Sequence, residues 1–203
     1  MQNKRGRVSR IRKNKKAAIE MSFQFIFSLI LVGVVVFVAF FAIQKFLGQA
    51  EKIKLLDFPL KISTAAIELW GSNGGLQRVD PIALNPSLTY VCFANSTTVQ
   101  RGCSSNSIFS SEFTPIPSEY KQICGNISSL TRTSQNANMF YYPASVARKY
   151  GVSPAQEVYC SEKGQPLKKC LNMEKITCVP VKAGSISFRL EKENVNTLIK
   201  IVK

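Results

Sequence analysis

The side chains most able to do chemistry here are the six cysteines, because the sequence contains no histidine. Histidine is the commonest general base and the commonest metal ligand, so its absence weakens both roles together. The sequence also lacks the glycine-rich phosphate loops and the GxSxG turn of serine hydrolases. Acids are scattered along the chain without an evident pair. We therefore expect a protein that is not an enzyme and needs no cofactor, the alternative being an enzyme that uses Ser, Lys or Asp alone.

The cysteines contain no CxxC pair, and a zinc site without histidine is disfavoured. Their even number, all after the apolar segment described below, indicates a disulfide framework of the kind found in exported domains. Cys103 and Cys124 would close the polar loop, and Cys160 and Cys170 would close the turn that contains Gly164. Cys92 and Cys178 are then left to join two predicted strands. The expected bridges are Cys103–Cys124, Cys160–Cys170 and Cys92–Cys178, one of several possible patterns.

Two N-glycosylation sequons begin at Asn95 and Asn126. Both lie in residues 95–135, a stretch dense in Ser, Thr, Asn, Gly and Pro that predicts a long loop region. Polar stretches also produce such triplets by chance. We expect glycan attachment to be possible at either asparagine in a host with the machinery.

The element that must position this domain is an apolar run at residues 23–46. As a helix it would be about 36 Å long, against a hydrocarbon core of about 30 Å. A buried core helix would rarely be so uniform. A cleaved secretory signal is the stronger alternative, with small residues around Gly48 and Ala50, but the run is longer than a usual signal. The pattern predicts a retained single transmembrane helix.

Residues 1–20 carry eight Lys or Arg and one acid, Glu20, so +7 of the net charge of +15 lies there and +8 in the rest. Basic residues beside a membrane span stay in the cytoplasm. Nucleic-acid binding is the other interpretation of a basic tail, and we do not favour it. The prediction is a cell-membrane protein with a cytoplasmic N-terminus, an extracytoplasmic C-terminal domain and no nucleic-acid partner.

Glu20, Gln24 and Ser28 recur every four residues, which places them on one face of a helix. Polar groups at membrane depth usually face protein, so this stripe predicts contact with another subunit. A solvated Glu20 at headgroup level is the equally weighted alternative.

The basic run ending at Lys16, the small Ala17 and Ala18, and the acid Glu20 before the apolar helix resemble the leader of archaeal type IV pilin-like proteins. The resemblance covers about 30 residues at the N-terminus. It implies peptidase cleavage between Ala17 and Ala18, with Glu20 third in the mature chain, and a helix that is membrane anchor and assembly element at once. Its partners would be the bilayer, other copies of the chain or other pilin-like subunits. The family more usually has glycine before the cut and its acid two positions later.

After the apolar run, Ile53, Leu56 and Leu60 continue at helical spacing towards Trp70, with Pro59 expected to kink or end the helix. A glycine-rich breaker follows at residues 71–75. A short helix is predicted at residues 144–150, between Pro143 and Gly151. Strands are predicted at residues 88–93, 139–142, 157–160, 175–179, 185–190 and 197–202, the last two as a closing hairpin.

The expected fold class is α+β: a long N-terminal transmembrane helix followed by a mostly antiparallel β, disulfide-bearing extracytoplasmic domain. The expected divisions are a cytoplasmic tail or leader at residues 1–20, a transmembrane helix at 21–46, a helical connector at 47–75 and a β-rich domain at 76–203. The function expected is that of a cell-surface structural subunit; a tethered binding module that does not assemble is the alternative.

Overall fold

A computed structural model describes residues 11–95, 99, 109, 119–160, 171, 173–193 and 199–202, with the backbone alone at residues 11–22. The chain divides into two units, residues 1–47 and residues 48–203. The fold is α+β, with one long apolar helix near the N-terminus and antiparallel sheets, as predicted. Its elements are α1 (Ile11–Trp70), β1 (Gly75–Ala83), β2 (Tyr90–Phe93), α2 (Tyr120–Thr133), β3 (Met139–Tyr142), α3 (Ala144–Lys149), β4 (Ala155–Gln156), β5 (Thr177–Pro180), β6 (Ser185–Lys192) and β7 (Lys200–Val202).

Helix α1 runs for 60 residues and ends at Trp70, just before the glycine-rich breaker predicted at residues 71–75. Pro59 lies inside the helix and does not terminate it. Within the second unit, α1 buries one stripe at the usual spacing of three and four residues. That stripe consists of Leu55, Phe58, Ile62, Ala65, Ala66 and Leu69.

The strands form two antiparallel sheets. Sheet A has the order β1-β6-β7, and sheet B has the order β4-β3-β2-β5. In sheet A, the buried positions of β6 alternate with exposed ones, as expected for a sheet with one face on the core. Leu190 on β6 pairs with Ile201 on β7, which confirms the predicted closing hairpin.

Sheet B is covered on both faces, which explains why all four residues of β2 are buried. Val91 and Phe93 point into a core shared with α1 and sheet A. Tyr90 and Cys92 point the other way, into a second core under α2. The helix α2 supplies Ile123, Cys124, Ile127 and Leu130 to this second layer.

Two expectations were wrong, and one strand was not predicted. Residues 120–133 form helix α2 rather than a loop, since their apolar residues recur at helical spacing although polar residues surround them. Strand β1 was not predicted, because it begins in the glycine-rich segment and contains Pro81. Residues 157–160 form no regular strand; the pairing lies at β4, just before them. The predicted short helix is present as α3.

Candidate functional site: the long helix and its seat in the head

The most unusual surface of the protein is the first part of α1. Every large apolar side chain between Phe23 and Leu47 is more than half exposed, from 52% at Leu31 to 73% at Phe23. Monomeric soluble proteins rarely expose a continuous apolar surface of this size, so such a surface marks contact with a membrane or with protein. Among the described residues, this is the one helix that is long and apolar enough to cross a bilayer.

The predicted assembly stripe falls on this part of α1. Gln24 and Ser28 are exposed, and the backbone is helical at Glu20, so the spacing of four residues belongs to one continuous helix. The side chain of Glu20 lies outside the described residues. Ala17 and Ala18, the predicted cleavage site, are likewise described only as helical backbone.

Three of the polar contacts that α1 makes inside the second unit involve a buried side chain from another part of the head. The first repairs the helix at Pro59, which has no N–H to donate to the Leu55 carbonyl one turn earlier. The hydroxyl of Tyr141, on β3, donates to that carbonyl oxygen at 2.6 Å. Burial raises the pKa of Tyr141, so its phenol stays protonated and able to donate.

The second contact lies at the end of α1, where the last carbonyl groups lack helical partners. Lys192 donates from its ammonium to the carbonyl oxygens of Trp70 at 2.6 Å and Ser72 at 3.0 Å. The same nitrogen lies 4.9 Å from the centre of the Trp70 ring. The inward position of Lys192 on β6 leaves it only 2% exposed, so these carbonyls and this ring replace its water.

The third contact joins Glu51, on α1, to the segment after β1. Asn85 is 5% exposed, and its amide nitrogen donates to a carboxylate oxygen of Glu51 at 2.9 Å. The same nitrogen donates to the Tyr150 hydroxyl at 3.2 Å. The amide oxygen of Asn85 accepts from the backbone of Ser87. These bonds fix α1, the β1–β2 connection and the end of α3 to one another.

The disulfide framework is present in the head. Cys92 and Cys178 lie directly opposite each other on β2 and β5 and are bonded, which confirms the predicted pair. Cys124 and Cys160 are each in a disulfide as well. Cys103 and Cys170, their predicted partners, lie outside the described residues, so those two pairings remain predictions.

The sequons differ in setting. Asn126 is half-buried on helix α2, not in a loop, and its carbonyl oxygen accepts from the Ser129 hydroxyl. Asn95 follows β2, and its carbonyl oxygen accepts from the backbone of Val99. Glycan attachment at either asparagine remains a prediction.

A groove lies between α1 and β1 in the second unit, with Leu60, Ala65, Val79 and Ile82 among its lining residues. Its charged groups are partly engaged: Glu68 accepts from Gln77 at 3.2 Å, and Lys61 pairs with Asp57 at 2.8 Å. Across the described ranges, no group of three or more Cys, Asp or Glu is placed to hold a metal ion.

No known protein family, characterised protein or solved structure matches the chain.

The sequence alone did not predict these three buried polar contacts of α1. Each joins residues far apart in the chain, for example 86 positions for Tyr141 and Leu55. One local signal was Pro59, since a proline inside a helix leaves a carbonyl that must find another donor. Lys192 also carried a signal, because it extends the buried alternation of β6.

Proposed function

We propose that the protein is a non-enzymatic, membrane-anchored cell-surface protein that acts as a pilin-like structural subunit. One observation carries this proposal: a single helix, α1, exposes apolar side chains throughout residues 23–47 and buries apolar side chains in the head from Leu55 to Leu69. A helix with this division can anchor the chain through its first part and contribute to the core of the head through its second part.

The anchoring role follows from the length of the helix and from the hydrogen bonds within its backbone. Residues 23–47 span about 37 Å as a helix, enough for a hydrocarbon core of about 30 Å. A continuous helix satisfies its own N–H and C=O groups, as a bilayer requires. The basic residues before the span and the disulfides after it both support an extracytoplasmic head.

The pilin-like role rests on the leader. Cleavage between Ala17 and Ala18 would create a new amino group on Ala18, two residues before Glu20, and in an assembly that carboxylate could pair with the amino group of a neighbour. The exposed Gln24 and Ser28 continue the same face and can hydrogen-bond across helices in an apolar environment.

Intact-mass measurement of the membrane-extracted protein tests the leader. A mature chain that starts at Ala18 is expected, and A17L should abolish the cut because the peptidase needs a small residue there. A42L, the same change inside the apolar run, is the matched control and should be processed normally. Retention of Met1 in the wild type would contradict the pilin-like role.

Assembly is tested by a photo-crosslinking residue in the same helix. A probe at Gln24 should yield crosslinks between subunits in membranes. A probe at Ile26, roughly 200° around the helix, is the control and should yield fewer. If the probe at Gln24 gave only uncrosslinked monomers, assembly through this face of the helix would be contradicted.

The alternative is a tethered module that binds a partner without assembling. The groove between α1 and β1 favours it, since apolar Leu60 and Val79 line it beside an edge strand. Retention of Met1, together with an absence of crosslinks between subunits from the probe at Gln24, would support this second function.

A further inference from the structure

Helix α1 carries a second apolar stripe in the head, separate from the one that it buries. Ile53 is 64% exposed, Leu56 is 50% exposed and Leu60 is 65% exposed. On the other side of the helix, Leu55 and Phe58 are fully buried. A surface helix normally shows polar residues opposite its buried face, so this stripe is an apolar surface without a partner among the described residues.

The spacing of the exposed stripe is that of a coiled-coil seam. Ile53, Leu56 and Leu60 are separated by three and four residues, and the same rhythm reaches the exposed Gln49 before them. After Leu60 it continues to the half-buried Ser63, whose hydroxyl accepts from the backbone of Tyr159 at 3.2 Å, and to the half-buried Ile67. In a heptad these are a and d positions, whose side chains interlock with those of a second helix.

The charges beside the stripe decide what covers it. Lys52 and Asp57 are the charged residues at the flanking g and e positions. Lys52 is exposed, and Asp57 is partly exposed while it pairs with Lys61 of its own helix at 2.8 Å. In a parallel pair, a g residue faces the e residue five positions later on the other helix. Lys52 of each copy would therefore meet Asp57 of the other, giving two opposite-charge contacts. An antiparallel pair brings no such contact from these two residues.

We infer that this stripe is the contact site for a second copy of the chain, with the two α1 helices side by side and parallel. The inference rests on the proposed membrane anchor, which holds copies in one orientation. The seam covers about two heptads, too short to associate strongly by itself. Confinement to a bilayer raises the effective concentration enough for a weak contact to form.

The test uses the full-length chain in membranes, with a photo-crosslinking residue at Gln49. Self-crosslinking is expected in the wild type. L56N should reduce the yield, whereas L76N should not, because Leu76 is similarly exposed (55%) but lies on β1 away from the stripe.

Charge exchange then tests orientation. K52D places two acids against each other in the pair, and D57K places two lysines together, so each variant alone should crosslink about tenfold less than the wild type. Co-expression of the two variants, distinguished by mass tags, pairs a seam that is acidic at both positions with one that is basic at both, so it restores opposite-charge contacts between unlike chains. The single variants report the orientation: an antiparallel pair would set position 52 against position 52 and position 57 against position 57, so neither variant alone would add like-charge contacts, and unchanged yields in both would contradict a parallel pair. Crosslinks between K52D and D57K chains should therefore exceed those within either variant and approach the wild-type yield.

Absence of self-crosslinks at Gln49, or mixed yields no higher than those of each variant alone, would overturn the inference. Unchanged fluorescence of Trp70, the only tryptophan, shows that each variant has folded. The result is separable from the pilin-like proposal: leader cleavage is read from mass at Ala18, and neither charge variant touches the leader.

Discussion

The Tyr141 hydroxyl donates a 2.6 Å hydrogen bond to the Leu55 carbonyl oxygen, the acceptor that Pro59 leaves without a donor. Both side chains concerned, Tyr141 and Pro59, are buried. A proline in the middle of a helix normally weakens it, and here the strand β3 supplies the missing donor. The helix therefore depends on the sheet for one of its own bonds.

The first prediction concerns this bond. Y141F should lower the free energy of unfolding by about 1–2 kcal/mol, since a buried acceptor loses its donor. In a P59A background, the introduced alanine supplies a backbone N–H to the Leu55 carbonyl, and the same Y141F change should cost much less. Denaturant unfolding followed by Trp70 fluorescence measures all four corners of this double-mutant cycle. Equal costs in both backgrounds would show that Pro59 and Tyr141 are independent.

The second prediction concerns alkaline pH. Burial raises the pKa of Tyr141 in the folded state above its unfolded value of about 10. Its contribution is therefore complete below pH 10 and declines as the pH rises through the folded pKa, by up to about 1.4 kcal/mol per pH unit. The stability advantage of the wild type over Y141F should shrink above pH 10. Unfolding curves at pH 8 to 11 of the two proteins, compared at each pH, check this; a constant difference would contradict it.

The third prediction concerns Lys192. K192M keeps the buried stem but leaves the Trp70 and Ser72 carbonyls without their donor, so we expect a loss of about 2 kcal/mol and a shift in Trp70 emission. K200M is the control, because Lys200 forms an exposed pair with Glu193 and its loss should have little effect. A K192M protein as stable as the wild type would mean that relief of the buried charge offsets the lost bonds.

The fourth prediction concerns the bridge between β2 and β5. Cys92 and Cys178 are 86 positions apart, and loop entropy for that separation predicts a loss of about 4 kcal/mol in C92A/C178A. Denaturant unfolding under non-reducing conditions measures it. Peptide mapping of the wild type should also find Cys103–Cys124 and Cys160–Cys170. A map that links Cys124 to Cys160 would refute both remaining pairs.

Strong local patterns were sufficient for several elements. The strand β3 and the alternation of β6 were visible because their β-branched and aromatic residues leave few other conformations. Helix α2 was missed although Ile123 and Ile127 repeat at helical spacing, because serine, asparagine and glycine between them lower helix propensity. Its burial against sheet B compensates for that weakness.

The candidate sites also include some features that the sequence predicted and one that needed the structure. The exposed apolar surface of α1 was evident from residues 23–46, and Cys92 with Cys178 was the pair left to join two predicted strands. The second stripe at Leu56 and Leu60 was visible only as helical periodicity. Spacing gives the rhythm of an apolar face but does not reveal whether the fold covers it.

The sequence by itself determined the long apolar helix, the Cys92–Cys178 pair and the closing hairpin, because composition, spacing and loop length act locally. The tertiary structure alone decided which side of α1 is buried and which groups complete its hydrogen bonds. Tyr141 and Lys192 act on carbonyls 86 and 122 positions away, and only the packing of the sheets against α1 brings them there. Such contacts depend on long-range chain closure, for which a linear pattern carries no signal.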